Sequence, residues 1–306
     1  MKVLVTGGSG FVGRHLVEAL TRRGRDVVVL GRGEAGPPPS ARGTDAGNVQ
    51  IATWSPERLG DWTRWVEESD AVVHLAGAGI FDERWSAERL ALVKSSRVDS
   101  TTNLARAIAE AKSKPRVFVS ASAIGYYGSR GDEALTESSA PGSGFMADVC
   151  VAWEKEADAA AALGMRLVKL RTGVVLGQNG GALAKMLPPF KGGMGGKLGS
   201  GDQWMSWIHH EDVIGLIRHA LDQPIAGPIN AVAPNPVTNQ EFTRRMGDAL
   251  HRPTLFPVPE FAVKALFGEM AQIVLGSQRI LPKAAESSGY RFRYPELAPA
   301  LQSLFA

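Results

Sequence analysis

Residues 1–13 read MKVLVTGGSGFVG, and the run Thr6-Gly7-Gly8-Ser9-Gly10-Phe11-Val12-Gly13 decides the fold. A short apolar run at 2–5 ends directly in glycines, and residues 11–22 follow at helical spacing. From Gly7 the glycines fall as G-x-x-G-x-x-G. Glycine permits the tight strand-to-helix turn and close approach of backbone to a pyrophosphate. The free N–H groups and the positive dipole end of the next helix attract that anion. Glycine-rich turns are common, so the flanks carry the weight: an apolar strand before and an amphipathic helix after. Gly7, Ser9, Gly10, Phe11, Val12 and Gly13 are therefore expected to line a dinucleotide.

Outward from this turn, strand and helix signals alternate. DVVVL (26–30), DAVVHL (70–75), 116–120 and 166–170 read as buried parallel strands, and 11–22, 86–112 and 145–163 as helices. That alternation predicts an α/β fold: a doubly wound parallel sheet of Rossmann type, with a smaller carboxy-terminal cap. The expected division gives 1–175 and 203–235 to the dinucleotide-binding part, and 176–202 and 236–306 to a substrate cap. Residues 33–48 read as an exposed Gly/Pro loop, and 191–201, KGGMGGKLGSG, as a mobile loop near substrate. Residues 211–221, 238–250 and 258–275 read as helices, and GPINAV (227–232) as a strand.

Composition narrows the function. The 306 residues carry 34 basic and 31 acidic side chains, a net charge of +3. The cations are scattered, so no nucleic-acid footprint is expected. One cysteine, Cys150, excludes an intramolecular disulfide framework. No apolar stretch reaches the roughly 20 residues of a membrane span. These features predict a cytoplasmic monomer or homodimer acting on a small molecule, with no membrane partner.

The second strand ends in Leu30-Gly31-Arg32, where an NAD site usually places an acid for the ribose hydroxyls. No acid stands there. Arg32, beside Gly31, would instead meet a ribose 2′-phosphate, which predicts NADP(H); the alternative is a solvated loop arginine.

TGGSGFVG, VVHLAG (72–77), SRVDSTTNLARA (96–107) and SASAIGYYG (120–128) together resemble the extended short-chain dehydrogenase/reductase superfamily. LRTGVVLGQNGGAL (170–183), GSGDQWMSWIHHEDV (199–213) and residues 254–304 are similar to its atypical, epimerase-like branch, related to nucleoside-diphosphate-sugar epimerases. The resemblance covers nearly the whole chain. It implies a bound NADP and a substrate domain, with Leu75, Ala76 and Gly77 beside the cofactor. It implies no particular reaction.

The superfamily's usual chemistry needs Tyr-x-x-x-Lys on a helix, the lysine lowering the tyrosine's pKa. None of the four tyrosines, Tyr126, Tyr127, Tyr290 and Tyr294, has a lysine four residues on. In FMADVCVAWEKEAD (145–158), with Glu154 as anchor, Met146 or Phe145 takes the tyrosine's place and Cys150 or Val149 the lysine's. Ser122 matches the superfamily serine, and Arg97 falls where extended members carry asparagine. Ser122 and Tyr127 are the catalytic candidates, each with a structural alternative: a strand-end cap and a packed loop tyrosine. Arg97 is read as a phosphate or ribose contact. Two functions follow: an NADP(H)-dependent oxidoreductase or epimerase-like enzyme of atypical mechanism, or a non-catalytic NADPH-binding sensor. His209-His210-Glu211-Asp212 is read as a strand-to-helix join rather than a metal site, and His74 as a core histidine.

Overall fold

The computed structural model describes residues 1–32 and 48–305, so most of the loop expected at 33–48 lies outside the described residues. The amino-terminal part runs β1 (Lys2–Thr6), α1 (Phe11–Thr21), β2 (Asp26–Gly31), β3 (Val49–Thr53), α2 (Thr63–Glu67), β4 (Ala71–His74), α3 (Ala87–Glu110) and β5 (Val117–Ala123). It continues through a 3-10 turn (Ile124–Tyr127), β6 (Ala134–Leu135), α4 (Phe145–Ala161), β7 (Arg166–Thr172), β8 (Val174–Leu176) and α5 (Gly181–Lys191). Then come β9 (Trp204–Met205), β10 (Trp207–His209), α6 (His210–Asp222), β11 (Gly227–Ala231), β12 (Val237–Thr238) and α7 (Asn239–Leu250). The chain ends with α8 (Glu260–Phe267), α9 (Ala271–Val274), β13 (Arg279–Ile280), α10 (Lys283–Ser287) and α11 (Leu297–Phe305).

Seven strands form one sheet in the order β11-β7-β5-β4-β1-β2-β3, every pairing parallel. Chain order reverses between β1 and β4, so the ligand crevice of this open sheet opens at their carboxyl ends. The central strands β1, β2 and β4 carry unbroken apolar runs because both faces are covered. Leu16, Val17 and Leu20 of α1 and Val213, Leu216 and Ile217 of α6 seal one face. Leu104 and Ile108 of α3, Ala157 and Ala160 of α4, and Trp54 and Trp62 seal the other. A third cluster joins Leu183, Leu187 and Phe190 of α5 to Trp207, Phe242, Met246, Leu301 and Leu304.

The helix expected over 258–275 is broken. Gly268 takes φ +57°, ending α8, and a 3-10 turn leads into α9. The 191–201 loop is pinned rather than free. Leu198 bridges Val258, Val258 N donates to Lys197 O at 2.8 Å, and Leu198 N donates to Asn239 Oδ1 at 2.8 Å.

His74 is fully buried in β4. Its Nδ1 meets Thr6 Oγ1 at 2.6 Å and its Nε2 meets Thr101 Oγ1 at 3.0 Å. Burial pushes its pKa from 6.5 down to about 3, and burial does the same to His209. The folded chain keeps both rings neutral, while the unfolded chain protonates them near 6.5. Their contribution to stability is whole above that pH and drains away as the pH falls from about 6.5 toward 3. From pH 7 to 5 each should cost about 2 kcal/mol. In urea unfolding at the two pH values, His74→Gln should remove about 2 kcal/mol of the wild-type pH dependence. An unchanged dependence would overturn the assignment.

Candidate active site

The β1–α1 turn is built by steric necessity. Gly7 has φ +69°, and a Cβ there would stand 2.7 Å from Leu75 C and 2.9 Å from Ala76 N. The end of β4 thus lies directly against the turn. A Cβ on Gly13 would stand 2.7 Å from Gly8 Cα and closer still to the Gly7 carbonyl oxygen. Gly10 N donates to Gly7 O at 3.0 Å, closing the turn. Gly10 caps α1 without a side-chain hydrogen bond, so the first-turn amides remain for a ligand. Ser9 and Gly10 are exposed, and Phe11 and Val12 half-buried. The Phe11 ring packs on Gly177 and Gly180, and Arg14 Nη2 donates to Asn179 O at 2.7 Å. These contacts fold the 177–181 segment over the helix start.

On the β2 side, Arg32 is exposed, and among the described residues nothing lies within 4 Å of where a Gly31 side chain would begin. On the β4–β5 side, Gly77 lies against Arg97 of α3: its missing Cβ would meet Arg97 Cζ at 3.2 Å. Arg97 is 8% exposed, and its guanidinium carbon lies 5.3 Å from the Trp153 ring centre.

Ser122, at the end of β5, belongs to a buried polar chain. Its Oγ donates to Glu154 Oε1 at 2.7 Å. Arg171 Nε donates to the same oxygen at 2.7 Å and Nη2 to Oε2 at 2.8 Å. Arg171 Nη1 donates to Tyr127 OH at 2.9 Å, and Tyr127 OH donates to Asn230 Oδ1 at 2.6 Å. The Tyr126 ring lies 3.5 Å from the Arg171 guanidinium carbon. Burial opposes the charge on Arg171, but the Glu154 carboxylate wins and raises its pKa.

This arrangement separates the two catalytic candidates. Tyr127, expected as a proton carrier, is fully buried, and its hydroxyl is committed on both sides. Burial pushes its pKa up to about 12 against the pull of Arg171. The geometry gives it the packed, structural position. Ser122 keeps its place at the strand end, bonded to Glu154. Met146 and Cys150 of α4 both face Gly125: a Cβ there would stand 3.1 Å from Met146 Cβ and 3.6 Å from Cys150 Sγ. Burial first, then the Glu154 charge, pushes the Cys150 thiol up to about 12.

Glu154, Arg171 and Asn230 are site residues that sequence reasoning did not assign. Glu154 and Arg171 sit among other charges in their own elements, so only Asn230, a polar residue in the strand GPINA, carried any local signal. His209 and His210 form the expected strand-to-helix join, and Asp212 anchors the carboxy-terminal segment through Tyr290 OH at 2.9 Å and Arg293 N at 2.8 Å. No group of three His, Cys, Asp or Glu among the described residues could hold a metal ion, and no helix among them is long and apolar enough to cross a membrane. A groove of about 670 Å³ between α1 and α6 lies apart from the strand ends. Of its arginines, Arg22 and Arg293 are paired with Glu18 and Glu211, while Arg218 Nε has no hydrogen-bond partner among the described residues.

A parallel doubly wound sheet whose first strand runs through a glycine turn into an open helix start defines a Rossmann-type dinucleotide-binding fold. More narrowly, the chain belongs to the NAD dependent epimerase/dehydratase family, whose model matches residues 3–232. Residues 258–304 match a domain of unknown function (DUF1731). The chain is 39% identical over 308 residues to the Bacillus subtilis (strain 168) epimerase family protein YfhF, covering 100% of this chain and 98% of that one. It is 41% identical over 307 residues to a chloroplastic SDR39U1 homologue of Arabidopsis thaliana, covering 99% and 86%. Human epimerase family protein SDR39U1, solved with NADPH, superimposes with a TM-score of 0.85 at 34% identity, covering 99% of each chain.

Proposed function

We propose that the chain is an NADP(H)-dependent oxidoreductase or epimerase-like enzyme working without a Tyr-x-x-x-Lys pair. The observation that carries this is the glycine turn at 7–13 leading to uncapped helix amides, beside a β2 end with Arg32 exposed and no acid at position 31 or 32. The NADPH in the human relative's structure supports the same reading. Gly7, Ser9, Gly10, Phe11, Val12 and Gly13 would hold the pyrophosphate, Gly31 and Arg32 the phosphorylated ribose, and Leu75, Ala76 and Gly77 the nicotinamide half. Residues 176–202 and 236–306 would form the substrate cap.

Bound NADP(H) supplies or accepts a hydride at a carbonyl or hydroxyl carbon. Ser122 is the group that addresses the substrate oxygen. Its proton is given to Glu154, so its oxygen keeps lone pairs that would accept from a substrate hydroxyl reaching it.

Fluorescence titration should give NADPH at least about tenfold tighter binding than NADH, and Arg32→Ala should bring the ratio near one. In NADP⁺ reduction assays across alcohols and nucleotide sugars, Ser122→Ala should lower turnover by about 10²–10⁴-fold. Equal affinity for the two cofactors, or turnover indifferent to Ser122, would remove the corresponding assignment.

A further inference from the structure

Arg97 is a buried cation with no carboxylate partner among the described residues. Its one protein hydrogen bond runs from Nη1 to Val93 O at 2.8 Å. That leaves the Nε/Nη2 edge, two parallel N–H donors in a fork that matches a carboxylate. On three other arginines this same edge holds an acid. Arg171 uses it on Glu154, Arg130 on Glu133 and Arg244 on Glu241. Two of those three arginines are far more exposed than Arg97, yet each has its acid. Burying a charge without a counter-ion is costly, so an unfilled fork at 8% exposure calls for an anion from outside the chain. Arg89, two turns earlier on α3 and equally buried, adds to the deficit. Its Nη2 donates to Gly79 O, its acidic neighbours Asp82 and Glu83 stand 3.7 Å away at the surface, and its Nε has no partner.

Position decides where that anion comes from. The cofactor's pyrophosphate belongs at the α1 start and its 2′-phosphate at the β2 end. Arg97 lies under Gly77, past β4 on the opposite side of the switch point, beside Cys150 and Trp153 of α4. This is the half of the crevice given to the nicotinamide and the reacting carbon. We propose that the Nε/Nη2 edge of Arg97 receives a carboxylate carried by the substrate near its reacting carbon, which makes the substrate class a small hydroxy or oxo acid. The inference rests on the dinucleotide reading above. One guanidinium matches the single charge of a carboxylate, whereas a phosphate dianion would ask for more donors than Arg97 has free.

The test is calorimetric titration of the full chain, first with NADP⁺ and then, once loaded, with oxamate, inorganic phosphate or acetamide. Oxamate should bind the loaded wild type and bind Arg97→Gln about 10–100-fold more weakly. Arg97→Lys, which keeps the charge but loses the fork, should fall between them. NADP⁺ affinity should stay within about twofold in both variants. Oxamate binding that is absent in the wild type or undiminished in Arg97→Gln overturns the proposal. So does acetamide binding as well as oxamate, or phosphate binding in oxamate's place. A parallel loss of NADP⁺ affinity would assign the guanidinium to the cofactor instead. Failure of the wild type to bind NADP⁺ shows in the first titration and sinks the dinucleotide reading itself.

Discussion

Glu154→Gln should destabilise the folded chain by about 3–5 kcal/mol, among the largest effects open to a single substitution here. The carboxylate sits almost wholly out of solvent, 5% exposed, and accepts from Arg171 twice and from Ser122 once. Removing its charge strands a guanidinium that is itself 3% exposed. The remaining partners cannot compensate, because Tyr127 OH is already shared with Asn230 and the Tyr126 face offers only a cation–π contact. Arg171→Met should cost a similar amount by stranding the carboxylate, with Lys169 Nζ at 3.7 Å too far for a good hydrogen bond. The double variant Glu154→Leu/Arg171→Met should recover most of either loss, since a buried pair exchanged for apolar side chains is often neutral or better. Urea unfolding of the wild type, Glu154→Leu, Arg171→Met and the double variant gives the coupling directly. Single variants that lose under about 1 kcal/mol would show the pair to be solvated and the network wrongly drawn.

The physical reason this network escaped sequence reading also explains what was legible. The β1–α1 turn is encoded within thirteen consecutive residues, and strand period, glycine spacing and helix start agree there. The buried strands at 26–31 and 71–74 announce themselves as β-branched runs for the same local reason. Glu154 and Arg171 lie on different elements and meet only because α4 packs beside β7. Nothing in EKEAD or KLRT says that one charge of each points inward. Tyr127 belongs to the same case: the sequence places it after Ser122, but only the fold brings Arg171 and Asn230 to its hydroxyl. Helix α5 was hidden by Pro188 and Pro189, which sit inside it near its carboxyl end. The glycines of 191–201 suggested mobility, yet Gly196 is where the Phe256 backbone presses closest, a contact no side chain could allow. Local patterns thus carried the glycine turn and the central strands, while the Ser122–Glu154–Arg171 network depended on long-range pairing.

Gly13→Ala tests the cofactor half with the least chemical change available, a single methyl group. Gly13 lies in the first turn of α1, where alanine would ordinarily be favoured over glycine by about 1 kcal/mol. Here the added Cβ would press on the Gly7 carbonyl oxygen and stand 2.7 Å from Gly8 Cα, both backbone atoms. Steric repulsion outweighs propensity, so the turn must open. The Gly10 N to Gly7 O bond that closes it, and the amides it aims at the ligand, move together. NADPH affinity should fall by at least about 100-fold, a loss of about 2.7 kcal/mol. Gly60→Ala provides the contrast, because its Cβ would meet nothing nearer than Trp62 at 3.7 Å, and its affinity should match the wild type. Thermal melting of the apo proteins separates a lost site from a lost fold. If Gly13→Ala melts like the wild type and still binds NADPH with unchanged affinity, the pyrophosphate does not lie on this turn.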